Sequence, residues 1–68
     1  MKHNDTRKIV LVDDDRDFIA ITMSFMEKYS YKVFAGYNSL EGMKLINRIS
    51  PDIIILDVMM ESMTAKGL

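Results

Sequence analysis

Sixty-eight residues with nine basic and ten acidic side chains, a formal net charge of −1 and no cysteine leave room for one domain at most. A chain of this length buries only about 60% of the surface its unfolded form exposes, which makes stability marginal. The balanced charge excludes the basic footprint of a nucleic-acid or anionic-lipid binder, and the lack of cysteine excludes a disulfide framework and a thiolate metal cluster.

The start of the chain, Met1 to Lys8, is polar. No apolar run is long enough for a signal peptide or approaches the ~20 residues that span a bilayer. The expectation is a soluble cytoplasmic chain with no membrane partner and no direct nucleic-acid partner. His3 reads as part of a frayed terminus.

Lys8 to Val12 is a short apolar run, rich in β-branched residues, that stops at Asp13, Asp14 and Asp15. It predicts a strand covered on both faces, as in the middle of a parallel sheet. Phe18, Ile21, Thr22, Phe25, Met26 and Tyr29 then recur at three- and four-residue steps, which predicts an amphipathic helix over residues 16 to 29 with that stripe turned inward. Lys32 to Tyr37 is less uniformly apolar and contains Gly36, so it is assigned as a second strand at the sheet edge. Asn38 followed by Glu41 is spaced as a capping box and starts a second helix. Leu40, Met43, Ile46 and Ile49 supply its apolar side, and Ser50-Pro51 ends it. Ile53 to Leu56 repeats the design of the first strand and ends on Asp57.

Strands alternating with helices through short connections predict an α/β fold with right-handed crossovers, a parallel sheet and strand order 2-1-3. The third strand would ordinarily have a neighbour on each side and only one is available, as if this were the first half of a larger doubly wound sheet. Val58 to Leu68 reads as a Met-rich loop leading toward a further helix.

In open α/β sheets ligands bind beyond the carboxyl ends of the strands, where crossovers diverge, and that place lies between strands 1 and 3. Both strands put aspartates there. Neighbouring strands run about 4.8 Å apart, and a like-charged pair at ~4 Å costs on the order of 1 kcal/mol in water and about 4 at an effective dielectric of 20. Either a carboxylate takes up a proton or a hard divalent cation cancels the charge. Asp13, Asp14 and Asp57 are therefore the candidate cation ligands, with Mg²⁺ the natural occupant. Asp15 is expected to cap the first helix and Asp17 to favour its N-terminus. A nucleotide site would need glycines after strand 1, where this chain has carboxylates.

The residues Ile9 to Asp15, Asn38 to Gly42 and Pro51 to Met60 together resemble the receiver domain of response regulators, the chemotaxis-regulator-like domain of bacterial two-component signalling. The match covers most of this chain and about the first half of such a domain. The resemblance implies a flavodoxin-like doubly wound parallel sheet, here limited to βαβαβ. It implies that Asp57 is the phosphoacceptor, taking a phosphoryl group from the phosphohistidine of a sensor histidine kinase. Asp14 and Asp57 would hold Mg²⁺ directly, Asp13 through a water and Met59 through its backbone carbonyl. Such a module is regulatory rather than an enzyme.

The family adds a Ser or Thr after a fourth strand and a Lys after a fifth, and neither strand lies in this sequence, so weakened signalling is expected. Lys66, the one lysine after Asp57, reads as a loop residue, and the loop Glu61 to Gly67 departs from the family's pattern. An uncovered strand edge invites a second copy, which predicts a homodimer through strand 3, with Met59, Met60 and Met63 available to line it. Two further readings stand beside the phosphoacceptor: a metal-dependent phosphohydrolase, for which no second acid or base is evident, and a non-signalling fragment that self-associates.

Overall fold

Each apolar run becomes a strand and each periodic stretch a helix in the computed structural model, which describes residues 6–57. The order is β1 (Lys8–Val12), α1 (Arg16–Lys28), β2 (Lys32–Gly36), α2 (Ser39–Ile49) and β3 (Ile53–Leu56). The strands form one parallel sheet in the order β2-β1-β3, an open flavodoxin-like βαβαβ arrangement. The expected fold class, strand order and edge position of β2 all hold.

β1 carries the core. Ile9, Val10, Leu11 and Val12 are at most 1% exposed, and because side chains alternate along a strand they feed two separate layers. On one face Ile9 and Leu11 pack with Ile19 of α1 and Val33 of β2, and on the other Val10 and Val12 pack against Leu45, Ile46 and Ile49 of α2. Burying such side chains contributes about 1.5–3 kcal/mol each.

Three expectations need correction. The inward face of α1 is Ile19, Met23 and Met26, whereas Phe18, Ile21, Phe25 and Tyr29 are exposed, Ile21 at 71%. On α2 it is Leu45 with Ile46 and Ile49 that faces the sheet, and Leu40 and Met43 are exposed. β3 is not covered on both faces, since Ile53 and Ile54 are 38% and 47% exposed. One cause accounts for all three. The helices pack mainly over β1 and β2, so each turns its inward face toward those strands, and β3, the last strand among the described residues, is left less covered.

Helix ends follow local chemistry. Asp15 caps α1 by accepting the Phe18 N–H at 3.1 Å, as expected. α1 closes with Ser30 in the left-handed region (φ 71°), where the Ser30 N–H donates to the Glu27 carbonyl and the Tyr31 N–H to that of Met26, a Schellman arrangement. Asn38 caps α2 by accepting the Glu41 N–H at 2.9 Å, but Glu41 reaches past Asn38 and accepts the Tyr37 N–H at 2.7 Å. The capping box is therefore one residue wider than its usual form.

The start of β3 is fastened to β1 in both directions. The Asp52 N–H donates to the Lys8 carbonyl at 2.8 Å, and the Lys8 N–H donates to Asp52 Oδ2 at 2.8 Å. The in-register pairing runs from Ile9 with Ile53 to Val12 with Leu56.

Candidate metal centre

The aspartates follow directly from the strand ends. The Asp13 N–H donates to the Gly36 carbonyl at 3.0 Å and the Asp57 N–H to the Val12 carbonyl at 3.0 Å, so the sheet's hydrogen bonding continues one step into the site and fixes both backbones. Asp13 is also held through its side chain, whose Oδ1 accepts the Asp15 N–H at 2.9 Å. That turn aims the chain from β1 into α1.

Asp13, Asp14 and Asp57 each offer a carboxylate oxygen, and these oxygens lie within 4.8 Å of one another. Asp13 and Asp57 are half-buried and Asp14 is exposed. An open pocket lined by Leu11, Phe18, Ile55 and Leu56 adjoins Asp13 and Asp57, so apolar walls stand beside two of the three charges. Ligand oxygens on opposite sides of an octahedral Mg²⁺ are about 4.2 Å apart. The donor set fits a hard divalent cation with small side-chain adjustments, in both spacing and chemistry.

All three aspartates singled out from the sequence are thus brought together, and Asp15 and Asp17 lie in the capping turn and first turn of α1. Met59, Met60, Met63, Lys66 and His3 lie outside the described residues. No helix among the described residues is long and apolar enough to cross a membrane.

Two features escaped the sequence reading. The guanidinium carbon of Arg16 sits 4.1 Å from the centroid of the Tyr37 ring, linking the start of α1 to the end of β2 beside Asp13. Gly42 is buried against Val12. Neither pairing has a local signal, because each joins residues far apart in the chain.

The described residues thus form a parallel α/β sheet of order 2-1-3 with a candidate cation site at its strand ends. Residues 9–68 match the model of the response regulator receiver domain, and the chain belongs to that family. Membership supports a phosphoacceptor role in two-component signalling, regulatory in character, and such domains typically bind Mg²⁺ at an acidic cluster like this one.

Proposed function

We propose that Asp57 accepts a phosphoryl group from the phosphohistidine of a sensor histidine kinase, in a Mg²⁺-dependent transfer within the cytoplasm. The observation that carries this reading is the placement of Asp57 at the end of β3, with its carboxylate within 4.8 Å of those of Asp13 and Asp14. In the transfer, a carboxylate oxygen of Asp57 forms a bond to phosphorus as the phosphorus–nitrogen bond breaks. The imidazole nitrogen keeps the electron pair and is free to take up a proton.

Asp14 and Asp57 would hold the ion directly, Asp13 through a water, and the backbone carbonyl of Met59 would complete the protein ligands. Bound there, Mg²⁺ supplies the charge neutralisation that lets two anions meet, the main requirement of phosphoryl transfer. The backbone of the proposed nucleophile Asp57 is tied to Val12, and the side chain of the proposed cation ligand Asp13 is tied to Asp15.

Incubation with Mg²⁺ and acetyl phosphate followed by intact-mass measurement tests this. A single phosphoryl adduct, absent in Asp57→Asn, is expected. Steady release of phosphate would favour a phosphohydrolase instead, and neither adduct nor release would leave a non-signalling chain.

A second reading concerns assembly. Ile53 and Ile54 are exposed on β3, the last strand of the sheet among the described residues, and an open apolar edge favours pairing with another chain. We infer a homodimer through this edge.

A further inference from the structure

Three acidic side chains meet at this site, and a divalent cation offsets only two negative charges. A phosphodonor is itself an anion, so it meets a residual negative charge even when the cation is present. A further positive group at this pole of the molecule would ease its approach.

Among the described residues Arg16 is the one cation in a helix's first turn. Both helices run back from the carboxyl ends of the strands, so their first turns share that end of the sheet with the aspartates. The first turns contain Asp17 and Glu41 as acids and Arg16 as the one base. Arg7, Lys8 and Lys32 lie at the opposite end, where β1 and β2 begin, and Lys28 lies in the last turn of α1; Lys44 and Arg48, further along α2, line a pocket on the β2 side with Tyr37 and Glu41.

A positive side chain at a helix N-terminus is opposed by the helix dipole, so Arg16 sits where its own helix does not favour it. Tyr37 supplies the missing support. Its ring takes the guanidinium at 4.1 Å, a cation–π geometry. The ring is itself anchored, packing against the cluster of Ile9, Leu11, Ile19 and Val33, while its backbone N–H is held by Glu41. Tyr37 follows Gly36, whose carbonyl accepts the Asp13 N–H. The clasp therefore stands beside Asp13 on the β2 side, away from β3 and Asp57.

We propose that Arg16, clasped on the Tyr37 ring, is a positioning residue that steers anionic phosphodonors toward Asp57. This role rests on the phosphoacceptor reading above. It acts on encounter and not on bond formation.

The test measures Asp57 phosphorylation by acetyl phosphate and Mg²⁺ affinity by calorimetry, in the wild type, Arg16→Ala, Arg16→Lys and Tyr37→Leu. For Arg16→Ala the acetyl phosphate concentration at half-maximal rate should rise about threefold to tenfold, with the maximal rate unchanged and the salt dependence flattened. Mg²⁺ should bind more tightly to that variant, because a competing cation is gone. Opposite movements of the two affinities are not what a folding defect produces, since damage to the site weakens both. Arg16→Lys should restore most of the effect and Tyr37→Leu should lie between. Unchanged half-saturation in Arg16→Ala overturns this role alone. No adduct on the wild type overturns the phosphoacceptor reading and this role with it.

Discussion

Gly36 and Gly42 meet backbone to backbone: a β-carbon on Gly36 would stand 2.8 Å from the Gly42 nitrogen, and one on Gly42 would stand 2.8 Å from Val12 Cγ2. The first turn of α2 is thereby pressed onto the ends of β2 and β1. Gly36→Ala should destabilise by about 2 kcal/mol, the cost of forcing atoms into a packed backbone contact. Gly42→Ala should cost less, because its neighbour is a side chain and alanine returns up to ~1 kcal/mol of helix propensity. Urea unfolding followed by circular dichroism checks both, and a larger loss at Gly42 would contradict the ordering.

The acid cluster predicts a specific dependence on metal. At a Mg²⁺ concentration of about 100 times its dissociation constant the wild type should gain about 2.7 kcal/mol, whereas Asp57→Asn should gain little. In metal-free buffer that variant should be at least as stable as the wild type, since it removes a like charge. Asp15→Ala should lose about 1 kcal/mol with or without the ion, as a lost cap does. Thermal melts of the three proteins with and without Mg²⁺ separate capping from ligation.

Ser30 holds a positive φ of 71° in the Schellman turn after α1. An L-residue in that conformation costs roughly 1–2 kcal/mol, partly offset by the greater freedom glycine has when unfolded. Ser30→Gly should therefore stabilise by about 0.5 kcal/mol. A lower urea midpoint for the variant would contradict this.

Much of this was legible in the amino-acid order. β1 and β3 are short apolar runs that end on aspartates, and the three acids of the cluster follow from those ends once the sheet is parallel. What could not be read was which flank of each helix turns inward. In α1 the line Ile19, Met23, Met26 and the line Phe18, Ile21, Phe25 both have helical spacing, and only the lateral position of the helix over β1 and β2 decides between them. Leu45 was missed on α2 for the same reason. The Arg16–Tyr37 and Gly36–Gly42 contacts arise from tertiary placement and have no periodicity to betray them.

The open side of the sheet predicts self-association. Ile54 is 47% exposed on β3, and a lysine on an edge strand discourages pairing with other chains. Ile54→Lys should shift the protein from dimer toward monomer in size-exclusion chromatography with light scattering. A wild type that stays folded and monomeric at high concentration would remove the dimer.

The two-way clip between Lys8 and Asp52 reaches further than its position suggests. Parallel strands can slide by a residue, and a slip of that size carries every side chain to the opposite face and displaces it by about 3.3 Å. Anchoring one end of β3 thus dictates where its other end delivers Asp57. The strand end that carries Asp57 is aligned from the far pole, so a change at Asp52 should displace Asp57 without touching it.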